Sequence, residues 1–412
     1  MARRPAQASV TGDLFAQGGP RLPNETSPAP FAASEARTAT PAGSVAAGSV
    51  PAGSVPAGSV PAAAPSTSPR LELEARRTSP SETHREQAYP EREFEFNGGI
   101  HLVDSVLWFD ADRRHDLTFI SHAHFDRIGK NRRILATDTT LKILTRSSGK
   151  VESLMSHFRR RFTLGQLELE LVPAGHILGS SQLVVQRHGR RIVFASDINL
   201  RKTATAEQAE VVPCDVLAVA ATYGIPAYRF PPREEVLAAI ASFVDDCLND
   251  RANPVLIANQ MGTAQELMHF LGHAGHRLRV HRSIHDIAKI YREADIDLPV
   301  SRTFQGSPAR DEVVIFPPIL RKHASIRKLR KFKTGIVTGR AVEQDFAARN
   351  RVEAAFPLSD TADHDDLLEF IRATGASEVY LSGNYATPLI EELREAPFRT
   401  YAIMAPEQLS LF

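Results

Sequence analysis

An α/β fold with a second α/β segment inserted into it is predicted from three features of the sequence. The first 90 residues hold thirteen of the 27 prolines and a five-residue repeat from Ala42-Gly43-Ser44-Val45 to Val60-Pro61. From about residue 92 to Cys214, short apolar runs separated by charged and small residues have the pattern of strands. Beyond Cys214, strand-like and helix-like stretches alternate.

Each segment follows from its pattern. A period of five matches neither helix nor strand, and Pro, Gly, Ser and Ala bury too little surface to offset ordering entropy. Residues 1–90 are therefore expected to be a disordered tether. Its apolar island, Gly12-Asp13-Leu14-Phe15, is either a docking peptide or an accident of composition. Strands are expected at Leu102-Val103, Val106–Phe109, Leu117–Ile120, Leu167–Val172, Gln182–Gln186 and Ile192–Ala195, in a meander of hairpins with one turn at His188-Gly189-Arg190. Glu234–Leu248 has helical apolar spacing after a Pro-Pro start, Val255–Ala258 is a buried strand and Gly262–Leu271 a helix. Leu278–Val280, Ile284–Ala294 and Val313–Phe316 continue the alternation. Gly335–Thr338 and Ala354–Pro357 predict strands, Asp363–Ala373 a helix and Val379–Ser382 a further strand.

Composition excludes several classes. With 49 Lys+Arg against 48 Asp+Glu, the 412-residue chain carries a net charge of +1, so any nucleic-acid contact has to be local rather than a general coating. Cys214 and Cys247 cannot build a disulfide framework or a four-thiolate zinc site, which fits a reducing cytoplasm. No apolar run approaches the length of about eighteen residues needed to span a membrane, and Met1-Ala2-Arg3-Arg4 lacks the apolar stretch of a secretory signal.

The chemistry concentrates around histidine. Ser121-His122-Ala123-His124-Phe125-Asp126 directly follows the apolar run Leu117–Ile120. In an extended segment residues two apart point the same way, so His122 and His124 can grip one ion, with Asp126 on the following loop. The alternative is a surface histidine pair at a turn. Pro173-Ala174-Gly175-His176-Ile177-Leu178-Gly179-Ser180 sets another histidine between glycines, and Phe194-Ala195-Ser196-Asp197 ends a strand with an aspartate.

This order of motifs resembles the metallo-β-lactamase fold, and within it the β-CASP nucleic-acid-processing branch. It is most similar to the bacterial ligase-associated DNA exonucleases, named as relatives of messenger-RNA 3′-end processing factors. The resemblance runs from about Phe96 to Arg394 and includes Tyr223-Gly224, Tyr228–Glu235, Ala264–Leu267 and Phe356–Asp360. It implies an αββα sandwich (residues 91–215 and 335–405) interrupted by a β-CASP α/β cap at 216–334, with the tether before and a short peptide at 406–412 after.

The resemblance also assigns roles and exposes departures. It implies a first metal held by His122, His124 and His176 with Asp197 bridging, and a second needing Asp126, Asp197 and the positions of Arg127 and Ser382. The family's His-x-His-x-Asp-His ends here in Arg127, its usual acid is Ala220, and two of its histidines are Thr361 and Ser382. Arginine has no free lone pair, and a serine hydroxyl is a poor zinc ligand beside imidazole. At most one zinc per chain is expected, in a DNA-processing protein that is catalytically impaired or inactive, with a mononuclear hydrolase or a protein-only scaffold as alternatives. Thr361 removes the family's expected general acid. His364, three residues on, either faces the cleft in its place or is an ordinary histidine at a helix start. Arg127 either holds a phosphate near Asp126 and Asp197 or merely neutralises them.

Two basic stretches and the C-terminal peptide remain. Arg327, Lys328, Arg330, Lys331 and Lys333 form a dense basic stretch around Phe332, which reads as phosphate contacts with a stacking ring or as a solvated face. Phe158-Arg159-Arg160-Arg161 is shorter and reads as a solvated face. Gln408, Leu409, Leu411 and Phe412 resemble the bacterial sliding-clamp-binding peptide, and otherwise form a tail packed on its own domain. The expected partners are thus DNA or RNA, the clamp and, by the family resemblance, DNA ligase or other repair proteins.

Overall fold

The computed structural model describes residues 91–111, 113–124, 131–149 and 152–403. The expected tether at 1–90 and the peptide at 406–412 lie outside them, as do Asp126 and Arg127.

Alternating apolar residues build two facing sheets. The first contains β1 (Phe94–Phe96), β2 (Ile100–Leu102), β3 (Trp108–Phe109), β4 (Thr118–Phe119), β5 (Arg133–Ala136) and β6 (Glu152–Met155), hydrogen-bonded in that order. The helix α1 (Asp138–Ser148) joins its last two strands, with Thr137 capping through the amide of Thr140. The second sheet begins with β7 (Phe162–Leu164), β8 (Leu167–Pro173), β9 (Ser181–Arg187), β10 (Arg190–Ser196) and β11 (Val216–Ala220). It is completed late in the chain by β18 (Glu378–Ser382) and β19 (Arg399–Ala402). Leu167, Leu169 and Leu171 of β8 alternate inward and meet Phe94, Phe109, Phe119 and Phe194 in one core between the sheets. On the outer face of the second sheet, β10, β11 and β18 pack against α7 (His364–Thr374) and α8 (Ala386–Glu392).

The hairpin meander holds for β7 to β10, which pair antiparallel through the His188-Gly189 turn, both residues at positive φ. It fails in the first sheet, where β3, β4, β5 and β6 pair in parallel.

A third, wholly parallel sheet has the order β14 (Ser301–Thr303), β13 (Arg277–Val280), β15 (Glu312–Phe316), β12 (Asn253–Ile257), β16 (Phe332–Val337) and β17 (Ala354–Phe356). Helices α2 (Arg233–Asn249), α3 (Thr263–His273) and α4 (Arg282–Glu293) cover one face. In α2 the buried Val236, Ile240, Val244 and Cys247 follow one helical stripe. Strand β11 pairs with β10 and β18 in the second sheet, whereas β16 and β17 extend the third sheet to Phe356. A parallel strand is held by its neighbour and not by its place in the chain.

Candidate metal centre and cleft

Where β4 ends at Phe119, the chain enters a turn that carries Ser121, His122 and His124. The pair thus sits on a turn rather than on an extended strand, yet its rings converge. His176 joins them from the Gly175–Ser180 loop after β8. Ser180 shapes that loop by accepting the amides of His176 and Ile177 through its hydroxyl, at 3.1 and 3.2 Å. Gly175 is at φ +76, and a Cβ there would lie 2.2 Å from the carbonyl oxygen of Asn199, so glycine is required. One ring nitrogen from each histidine lies within 4.8 Å of the others, and the rings stand 74–90° apart.

Hydrogen bonds orient each ring. His176 Nδ1 donates to the Asp360 carbonyl at 2.7 Å, which leaves Nε2 as its acceptor nitrogen. His124 Nε2 lies 3.5 Å from the Met261 carbonyl, and its Nδ1 faces His176 Nε2 at 3.1 Å. His122 Nδ1 is 2.8 Å from the Ser121 hydroxyl, which donates to Asp110 at 2.8 Å. Burial, reinforced by the neighbouring imidazoles, holds His122 well below its ordinary value and lowers His124. Imidazoles with outer nitrogens bound and inner nitrogens convergent fit a zinc ion. His122, His124 and His176 would hold it, and zinc would supply Lewis acidity toward a phosphoryl group.

The carboxyl ends of β10, β11 and β18 frame the other side. Ser196 sits at φ +54 where the β10–β11 register shifts, and Asp197 follows it into the cleft. The Thr222 hydroxyl donates to Asp197 Oδ1 at 2.6 Å. Ala220 and Ser382 are register partners at the ends of β11 and β18, and neither offers an imidazole or carboxylate. The Thr361 hydroxyl is 3.2 Å from His176 Nδ1. His124, His176, Asp197, Thr222 and Thr361 share a cavity of about 430 Å³ with residues of the inserted segment, including Met261, Thr263, Pro317, Ile319 and Arg340.

His364 is expected either to face the cleft or to be an ordinary histidine at a helix start. It is buried at the start of α7 and does not line the cavity; its nitrogens face Asp365 at 2.9 Å and Glu392 at 2.9 Å. The basic stretch does not line the cavity either. Arg327, Lys328, Arg330 and Lys331 are exposed, while Lys333 pairs with Asp250 at 2.6 Å. Phe332 packs on the core beneath β12 and β16 rather than standing free for a base. Arg159 and Arg161 pair with Glu210 and Glu170, as a solvated face would.

The sequence does not single out Asp110, and Asp360 stands there only as the end of the Phe356–Asp360 motif, with no role assigned. Asp110 follows β3 and accepts from the amide and hydroxyl of Ser121 and the hydroxyl of Ser196, each at 2.8 Å. Its place after the Trp108-Phe109 run was the available signal. Asp360 Oδ2 accepts the Thr263 amide at 3.1 Å and hydroxyl at 2.9 Å, tying α3 to the histidine cluster. Gly262, at φ +79, permits this, because a Cβ there would lie 2.3 Å from Asp360 Oδ2.

Burial, with the Asp197 charge adding, pushes Asp110 from 3.8 up to about 6 despite its hydrogen bonds. A raised carboxyl contributes stability below the unfolded value, and that contribution is lost as pH rises through about 6. Metal-free Asp110→Asn is therefore expected to gain roughly 1–2 kcal/mol over the wild type at pH 7.5 and nothing near pH 4. Urea titrations at both pH values check this; an equal loss at both would show that the carboxylate hydrogen bonds outweigh the burial cost.

Two stacked sheets, a histidine cluster and a third, parallel α/β sheet make an α/β architecture consistent with a metallo-β-lactamase type of fold. The chain is similar to nucleases of the β-CASP branch of that fold. It is 31% identical over 320 residues to a probable DNA ligase of Opitutus terrae, a match covering 77% of this chain and 31% of the ligase. It is 22% identical over 182 residues to an RNase J-like protein of Methanocaldococcus jannaschii, covering 38% of this chain and 43% of that protein. A ribonuclease of Thermus thermophilus is 24% identical over 192 residues, covering 40% of this chain and 44% of the enzyme. The chain thus spans less than half the length of each relative. No protein-family model matches it. Among the described residues, no helix is long and apolar enough to cross a membrane.

Proposed function

We propose that this chain is a nucleic-acid-binding DNA-processing protein that holds at most one zinc, at His122, His124 and His176 with Asp197, and is impaired in phosphodiester cleavage. The observation that carries this reading is a contrast between the histidine cluster and the strand ends beside Asp197. Three imidazoles converge, while Ala220 and Ser382 close the neighbouring strand ends without a ligand. A two-metal site neutralises charge on both the attacking and the leaving oxygen, and loss of one metal removes half of that clamp. Incubating the purified chain with end-labelled single- and double-stranded DNA tests the reading. Binding with little cleavage supports it. Robust cleavage that disappears in Asp197→Ala would instead establish the mononuclear hydrolase, which the intact Thr222–Asp197 contact favours. Failure to bind any nucleic acid would leave the protein-only scaffold.

Partners and place follow the same reading. A DNA ligase acting beside this protein is proposed because the chain matches under a third of a longer relative that bears a ligase name. Work in the cytoplasm is proposed from its two unpaired cysteines, Cys214 and Cys247. Recruitment by the sliding clamp is proposed from Gln408, Leu409, Leu411 and Phe412, where two apolar anchors follow a glutamine. Deleting residues 408–412 is expected to abolish clamp capture and leave the melting temperature unchanged. Clamp affinity that survives the deletion would refute the recruitment.

A further inference from the structure

The cleft contains a cation that the metal centre does not use. Arg340 lies on the turn after β16 and lines the same cavity as His176 and Asp197. Its guanidinium is held on one side by Glu343, through Nε at 2.6 Å. Glu343 is itself fixed by Arg349 at 2.9 Å and by the Tyr228 hydroxyl, which donates at 2.9 Å and lies 3.0 Å from the Tyr385 hydroxyl. One carboxylate is thus shared between two guanidiniums. Gly339 lets this turn sit down on its support, because a Cβ there would be 2.7 Å from the rings of Tyr223 and Phe230. Although burial opposes it, hydrogen bonding and charge from Glu343 raise the Arg340 guanidinium further, so its charge is permanent.

We propose that Arg340, oriented by Glu343, receives a backbone phosphate of the nucleic acid drawn into the cleft. A fixed guanidinium presents paired N–H groups that match phosphate oxygens, and one already held by a carboxylate loses little freedom when it binds. The contact requires no metal, so it anchors substrate even where the second ion is missing. Tyr228 and Tyr385 act on it only through Glu343 and are positioning residues.

This inference rests on the nucleic-acid-binding reading, and the test separates the two. The full chain is titrated with fluorescein-labelled oligo(dT) in chelator, following anisotropy at several salt concentrations. Arg340→Ala is expected to weaken binding about tenfold and to lower the salt slope by about 0.7, the loss of one phosphate contact on a single strand. Arg340→Lys should recover part of the affinity and the full slope, and Glu343→Gln should lose affinity while keeping the slope. Arg282→Ala, at an exposed position on α4, should match the wild type. Arg340→Lys guards against a folding defect in the alanine variant, with melting curves recorded for each. Wild-type binding that Arg340→Ala leaves unchanged in affinity and slope overturns the phosphate contact alone. A wild type that binds no oligonucleotide overturns the functional reading and this contact with it.

Discussion

A variant carrying Arg127→His, Ala220→Asp, Thr361→His and Ser382→His together is expected to cleave end-labelled DNA at least about a hundredfold faster than the wild type, while each single change stays within about threefold. The reason is that groups acting as one catalytic unit are strongly non-additive. Ala220 and Ser382 stand side by side at the ends of β11 and β18, so new ligands there would lie on the strand beside the one that delivers Asp197 and on the next strand over. Thr361 already approaches His176 at 3.2 Å, so an imidazole in its place starts close to the centre. None of these helps until a second ion has enough ligands to stay. A single substitution that alone restores most of the rate would show that the site lacks one group rather than one metal.

Replacing His176 by alanine should remove zinc almost completely, from about one per chain to below about a tenth, because two imidazoles and a carboxylate do not make a closed structural site. The change also leaves the Asp360 carbonyl without its 2.7 Å donor, at a cost of about 1–3 kcal/mol in fold stability. His176→Gln tests the two effects separately: an amide can donate to Asp360 yet binds zinc poorly. Stability should return in that variant and zinc should not. Full zinc retention in His176→Ala would place the metal elsewhere.

How much of this was legible in the sequence depended on the range of the interaction. The strands β8, β9 and β10 and the helix α2 show in the sequence because their apolar period is local and each buries one continuous face. The two-residue strands β3 and β4 are too short to carry a period, and nothing in their composition tells parallel from antiparallel pairing. The histidine cluster was legible as motifs, but its support was not. The Asp360–Thr263 contact spans 97 residues and the Thr361–His176 contact 185, and no local pattern reports either. His364 shows the converse. It stands at the start of α7, and Glu392, arriving from α8, meets its ring at 2.9 Å, outside the cavity lining. Arg340 went unnoticed because it lies in no recognisable motif; only the turn seated on Tyr223 and Phe230 brings it to the cavity.

The zinc content of the purified wild-type chain, measured by elemental analysis after gel filtration without added metal, tests the central claim most directly. Convergence of His122, His124 and His176, with Ala220 and Ser382 closing the adjoining strand ends, predicts a ratio of no more than about one zinc per chain. Two tightly held zinc ions per chain would contradict it, and with it the account of a cleft that binds nucleic acid better than it cuts.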